Sequence, residues 1–326
     1  MSSTAAPRTL PIALLAGLLL VASACAHLPT TGHAPAAAAP MAAGPPPVAP
    51  DAVPGACPAT VFSSQPYFQN GQFDLLALIP PPPVAGSEAA ARDLEGVLDA
   101  QRLARQQGTT ERAVGDAEVN CLRFADVLGP RFSVAQAPRA VYFLNRAALA
   151  GASASGPGKT YWWRPRPYAV SAKVEPLADV APGALERPGP FDAFRASCNP
   201  GQPARAPRST AEVDPERWRT SYPSGHSAFG MSCAILLAEM VPEQREALFR
   251  RGRQYGESRL IVGAHFPSDI ESGRVLATVA AAAMQQNAAF RHDFEVARTE
   301  LRAALGLPAE PPELRPGKPE RPPATP

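Results

Sequence analysis

Pro223-Ser224-Gly225-His226 stands just before an apolar run from Ala228 to Val241. The run reads as a buried helix that begins at the motif. Backbone N–H groups at a helix start have no partners inside the helix and lie at the positive end of its dipole, so the motif offers an anion site. Gly225 allows close approach, Ser224 adds a hydroxyl donor, and His226 carries the side chain that titrates nearest neutrality. A Ser-Gly pair before a helix is equally a plain cap, so any chemistry needs partners elsewhere. His265 precedes Asp269 by four residues across a Pro turn, close enough for the carboxylate to fix the imidazole tautomer and stabilise a positive ring, as beside an activated nucleophile. Lys159, Arg164 and Arg166 lie in a cation- and aromatic-rich stretch, and Arg259 follows Ser258 near a helix end. Read singly, each of these cations is a solvated surface charge.

The elements that must position these residues read as helices. Ser87 caps one to about Gln107, with Ala90, Leu94, Val97, Leu98 and Leu103 on one face. Thr110 starts a second that carries Val114, Ala117, Cys121, Phe124, Ala125 and Leu128 and stops at Gly129-Pro130. A third runs from about Val134 or Pro138 to Ala150, after the capping pair Ser133 and Gln136. Residues 151–158 read as a Gly/Ser loop, and Lys159 to Pro167 as a stiff loop held to the body by its rings. The stretch from there to Tyr222 is turn-rich and without periodicity, the pattern of a lid or an insertion. After the helix at the motif, Pro242 opens another to about Leu260, with Ala247, Leu248 and Tyr255 inward, and Gly263 breaks it. Ser268-Asp269-Ile270-Glu271 reads as a capping box for a long Val/Ala-rich helix, and a last one spans Asn287 to Leu305. No stretch alternates over strand length, so the fold class is all-α, a single helical-bundle domain.

Residues 1–24 carry Arg8, an apolar run from Leu10 to Val21 and Ala22-Ser23-Ala24, the pattern of a secretory signal. Cys25 directly after it suits a lipoprotein signal as well as ordinary cleavage, so a membrane tether through a lipidated Cys25 stays open beside a free periplasmic or secreted protein. Residues 25–60 form an Ala/Pro-rich linker, 61–306 the folded domain and 307–326 a Pro-rich disordered tail. With 31 basic and 29 acidic residues, no broad nucleic-acid footprint is visible. Cys57, Cys121, Cys198 and Cys233 allow up to two disulfides, with the pairing open and Cys233 equally readable as a buried thiol. His292 reads as a surface residue.

Three fragments stand in order: K-x6-R-P from Lys159 to Pro167, P-S-G-H from Pro223 to His226, and S-R-x5-H-x3-D from Ser258 to Asp269. This pattern resembles the type 2 phosphatidic-acid phosphatase superfamily, which includes the vanadium haloperoxidases, and within it the class A bacterial non-specific acid phosphatases. The resemblance covers roughly residues 75–305. It implies that Lys159, Arg166 and Arg259 hold the phosphoryl oxygens with Ser224 and the Gly225 amide. His265 is then the nucleophile that forms a phosphohistidine, Asp269 orients it, and His226 protonates the leaving alcohol and later activates water. Such a site needs no metal or cofactor, because phosphoryl transfer rests on positioning and charge neutralisation. The implied activity is hydrolysis of small phosphomonoesters, with phosphotransferase activity and inhibition by vanadate or excess phosphate, and a bell-shaped profile centred on mildly acidic pH. A vanadium-dependent haloperoxidase and a lipid-phosphate phosphatase are the alternatives within the superfamily, and a silent phosphate binder is the alternative outside enzymology. Oligomeric state stays open, a homodimer being one possibility. Two departures stand out: the stretch between Pro167 and Pro223 is longer than in the compact relatives, and Thr220 replaces their common Gly.

Overall fold

The structure, a computed structural model, describes residues 62, 65–181, 185–186, 208–209 and 220–312. The readings made for the signal segment, the linker, Cys25, Cys57, Cys198 and the tail beyond residue 312 lie outside these residues.

Helix α1 spans Glu88–Gln107, capped by the Ser87 hydroxyl, which accepts from the Ala90 amide. Its inward face differs from the sequence expectation: Val97 and Ala104 are buried together with Asp93 and Gln101, whereas Leu103 is exposed. The expected second helix is broken. It becomes α2 (Thr110–Gly115), a 3-10 turn (Cys121–Phe124) and α3 (Ala125–Leu128), which ends at Gly129. The break has a tertiary cause, since the intervening backbone turns away to meet other elements: the Cys121 amide donates to Asn145 Oδ1 and Glu118 O accepts the Tyr255 hydroxyl. Helix α4 (Pro138–Ser153) and helix α5 (Gly156–Trp162) together replace the Gly/Ser loop, so Lys159 sits on a helix. A short α6 follows at Pro167–Val170. Leu185–Glu186 (β1) and Arg208–Ser209 (β2) form a two-residue antiparallel ladder, the only strand pairing among the described residues.

Helix α7 (Gly225–Met240) has the Ser224 hydroxyl as its cap, accepting from the Ser227 amide. It is apolar around most of its circumference and is accordingly buried, apart from its partly buried first turn, the half-buried Ile235 and the exposed Glu239. Helices α8 (Arg245–Ile261), α9 (Pro267–Gln285) and α4 pack around it, while α10 (Ala288–Leu305) packs on α4 and α1 rests on α8 and α9. The Cys121–Cys233 disulfide, Cα–Cα 5.7 Å, ties the 3-10 turn to α7, so Cys233 is not a free buried thiol. Beyond it, Tyr67, Phe143, Phe290 and Phe294 form an aromatic cluster that joins the N-terminal stretch to α4 and α10. No helix among the described residues is long and apolar enough to cross a membrane.

Candidate active site

The three sequence fragments meet at the start of α7, and backbone hydrogen bonds lock them together. The Ser224 amide donates to Asp269 O at 3.0 Å, and the Ser221 amide donates to Arg164 O at 2.8 Å. Lys159 Nζ reaches Thr220 O at 3.2 Å, and Ser227 Oγ donates to Ile270 O at 2.7 Å. The tight register of α9 on α7 requires Gly273, because a Cβ there would lie 2.4 Å from Ser224 O.

The chain reaches the site from α5 through Trp163, whose φ of 49° is a strained value for a residue with a side chain. That turn leaves Trp163 half exposed and sends Arg164 and Arg166 inward, where both are buried. Only Trp162 of the expected ring anchors packs on the body, edge-on to Tyr222, while Tyr161 is exposed.

At the end of α8, Gly263 adopts φ +76° and the chain doubles back, so that the Ala264 and His265 amides both face Arg259 O. His265 is thereby held beside Arg259. Arg166 Nη1 donates to Ala264 O at 2.7 Å and lies 3.4 Å from His265 Nε2. His265 Nδ1 lies 3.4 Å from Asp269 Oδ2, which also accepts the Phe266 amide at 2.8 Å. A guanidinium can only donate and a carboxylate only accepts. The two neighbours therefore favour one tautomer, with the proton on Nδ1 and an unprotonated Nε2 whose lone pair faces Arg166. The expected capping box moves accordingly: Phe266 is the cap residue, Pro267 opens α9, and Asp269 closes the cap from the third helical position. Ser268 instead donates its hydroxyl to Asp93.

Arg259 is buried and forks onto Asp179, with both Nη–Oδ distances 2.8 Å. Its Nε–H is buried and has no hydrogen-bond partner among the described residues. An orphaned buried donor of this kind costs about 1–3 kcal/mol unless something arrives to accept from it. Behind it, Asp116 is fully buried and takes the Arg251 fork at 3.0 and 2.5 Å and the Ser258 hydroxyl at 2.7 Å, which fixes the rotation of α8 one residue before Arg259.

Charge and burial act together on the two imidazoles. His265 lies well below the ordinary histidine value, first because it is buried and then because Arg166, Lys159 and Arg259 surround it. His226 keeps partial solvent contact and is pushed down to about 3, again by burial first and Arg259 next. Its Nε2 lies 3.2 Å from Ala117 O, so the neutral ring carries its proton there. Burial drives the Asp269 carboxyl up, with Arg164 the chief opposing influence, and the net direction is upward. Burial would raise Asp179 as well, but Arg259 outweighs it, helped by His226 and Arg166, and the carboxyl lies below its usual range.

All eight residues expected from the sequence (Lys159, Arg166, Ser224, Gly225, His226, Arg259, His265 and Asp269) belong to this one cluster. The structure adds Arg164 with Asp93, and Asp179, which the sequence reading does not single out as site residues. Arg164 shares a motif with Arg166 and only its depth distinguishes it. Asp179 lies in the aperiodic stretch, where no sequence signal marks it. His292 is exposed and pairs with Asp293 on the far helix α10.

The PAP2 superfamily matches residues 139–292, a span that holds all three fragments. The chain is 30% identical to a non-specific acid phosphatase of Providencia stuartii over 241 residues, 72% of this chain and 84% of that protein. It is 30% identical to an acid phosphatase of Zymomonas mobilis over 71% of this chain and 76% of that one. A non-specific acid phosphatase of Salmonella typhimurium is 29% identical over 74% and 83%. With the all-α architecture and the three fragments converging on one buried cationic cluster, these similarities show that the chain belongs to the PAP2 superfamily and, within it, to the class A bacterial non-specific acid phosphatases.

Proposed function

We propose that this acid phosphatase hydrolyses small phosphomonoesters through a phosphohistidine on His265. The observation that carries the reading is an unprotonated His265 Nε2 facing the Arg166 guanidinium, with the Arg259 charge also acting on the ring and the Arg259 Nε–H without a partner among the described residues. A phosphoryl group accepts from those donors while presenting phosphorus to the lone pair. Lys159, Ser224 and the Gly225 amide complete the set around its oxygens, supplying charge stabilisation that needs no reorganisation at the moment of reaction. In the first step His265 Nε2 bonds to phosphorus as the ester P–O bond breaks, and His226 gives a proton to the departing alkoxide. In the second, water attacks the phosphohistidine, His226 takes its proton, and the P–N bond breaks to release phosphate. Another alcohol in place of water gives phosphotransfer.

His226 is neutral in the empty site at the working pH, which sharpens the acid–base assignment. The proton it donates arrives with the substrate, because a phosphomonoester has its second pKa near ~6 and enters partly as the monoanion at mildly acidic pH. The bound phosphoryl charge then offsets Arg259 and Arg166 and lifts the ring towards protonation. Export through the N-terminal segment, with Cys25 as a free or lipidated start, belongs to the same reading.

The test is release of p-nitrophenol from p-nitrophenyl phosphate by the purified protein at mildly acidic pH with excess EDTA, beside His265→Ala. Turnover in the wild type with a loss of at least ~10³-fold in the variant is expected. Full activity in His265→Ala, or none in folded wild type, overturns the assignment.

A further inference from the structure

In the sequence, Arg164 is one more cation in a basic stretch. In the fold it is buried, and its two terminal nitrogens are divided between two carboxylates. Nη1 donates to Asp269 Oδ1 and to Ser268 Oγ, both at 2.7 Å, and Nη2 donates to Asp93 Oδ2 at 2.7 Å. Its guanidinium carbon lies 4.0 Å from the centroid of the Phe266 ring. Asp93, on α1, also accepts the Ser268 amide at 3.2 Å and the Ser268 hydroxyl. The result is a closed polar ring of Asp93, Arg164 and Ser268 at the start of α9, to which Asp269 is attached through Arg164, with each of the four buried except the half-buried Ser268.

We propose that Arg164, anchored from behind by Asp93, is a positioning residue of the phosphatase reaction: by taking Asp269 Oδ1 it turns Oδ2 to His265 Nδ1 and so leaves Nε2 without a proton, available for attack. The argument rests on which acceptor sites remain. Oδ1 of Asp269 is held by Arg164, and Oδ2 faces the Phe266 amide and His265 Nδ1. At 3.4 Å the imidazole contact is long, so it does not hold the carboxylate by itself. The Arg164 bond at 2.7 Å is the short, charge-assisted one. Asp269 is fully buried, and losing that cation leaves it to rotate or take up a proton. Either change removes the acceptor that defines the His265 tautomer. The Nη ends of Arg164 are divided between two carboxylates, Asp269 and Asp93, whereas those of Arg259 both go to Asp179 and leave its Nε–H without a partner among the described residues.

The inference rests on His265 as the nucleophile, so its test includes a signal read without turnover. Ring-nitrogen NMR of the full-length protein reports the His265 tautomer at rest, next to kcat on p-nitrophenyl phosphate and the inhibition constant of inorganic phosphate. Wild type is expected to show the Nδ1–H tautomer alone. Arg164→Gln is expected to show a mixture, with kcat down by about tenfold or more, while phosphate inhibition stays within about threefold because the phosphate donors are untouched. Arg164→Lys keeps the charge without the fork and is expected to recover part of kcat. Asp93→Asn is expected to shift both readouts the same way by less. If Arg164→Gln does not fold, the Lys and Asn variants carry the same three readouts. A single Nδ1–H tautomer with wild-type kcat in these variants overturns the proposal. So does a parallel loss of kcat and phosphate affinity, which would make Arg164 a scaffold residue only. An active His265→Ala would instead strike the nucleophile assignment and leave the tautomer result standing.

Discussion

At the scale of single residues, the site is a set of charges held in place before any substrate arrives. Arg259 is paired only by Asp179 among the described carboxylates, and Arg166 is pushed down from the ordinary arginine value by burial and then by Arg259. Asp179→Asn leaves Arg259 a buried charge without its counter-ion, a change of the kind that costs about 3–5 kcal/mol. The expected outcome is a lower melting temperature without anion and a larger upward shift on adding phosphate than wild type shows, since the ligand then supplies the missing charge. An equal phosphate shift in both proteins would place Asp179 outside the phosphate field. The two imidazoles add a pH response. Their folded values lie below the unfolded value of ~6.5, so the unfolded chain binds protons first as pH falls. The stability is fully present above ~6.5 and is lost on the way down towards about 3 for His226, at roughly 1.4 kcal/mol per pH unit and per ring. Thermal unfolding between pH 7 and 4 should fall less steeply in His226→Gln than in wild type, and saturating phosphate should flatten the wild-type curve.

At the scale of elements, the candidate active site is a product of how closely α7 and α9 approach. Both carry candidate site residues at their first turns, and Gly273 lets Ser224 O come within 2.4 Å of where a Cβ would stand. Gly273→Ala must push backbone apart and displace the Ser224–Asp269 hydrogen bond. A loss of about 1–3 kcal/mol in chemical denaturation and a clear drop in kcat are expected. Gly71→Ala is the control, because a Cβ there meets nothing within 4 Å. Measured together, a stable and fully active Gly273→Ala would mean that the crossing tolerates expansion. The strained turn at Trp163 serves the same end from the other side, since it converts the end of α5 into a hook that drives Arg164 and Arg166 under the surface.

At the scale of the whole molecule, the disulfide closes the largest loop that the described residues show. Cys121 and Cys233 are 112 residues apart, and constraining a loop of that length in the unfolded chain contributes up to about 4–5 kcal/mol. Everything from the 3-10 turn to α7 is inside it, including Lys159 and Arg166. The same bridge holds the segment whose Ala117 carbonyl accepts from His226. Replacing both cysteines by Ser should lower the melting temperature by several degrees and alter the His226 ring signal, while His265 keeps its own. A wild-type His226 signal in that variant would show that Ala117 is held by its other contacts.

Much of this was legible in the sequence because it rests on local rules. Ser87, Ser224 and Asn287 announce helix starts by their cap chemistry, Gly129 and Gly263 announce stops, and the apolar content of α7 announces its burial. That these eight candidate residues cluster was legible because three spaced fragments occur in one order. Local rules failed where a distant partner decides. The segment after Thr110 has helical content, yet its backbone groups bond to Asn145 and Tyr255, which are remote in the chain. Residues 151–158 carry loop composition but form the end of α4 and the start of α5, where Gly158 fits against Pro223. Composition and spacing determined the helical class, which residues converge on the candidate site and the sign of its charge. Only the tertiary structure decided which cysteines pair among the described residues, which tautomer His265 adopts, and that Arg164 faces two carboxylates and Arg259 a third. The physical reason is that burial and partner geometry are properties of residues brought together from about a hundred positions apart, and no local pattern carries them.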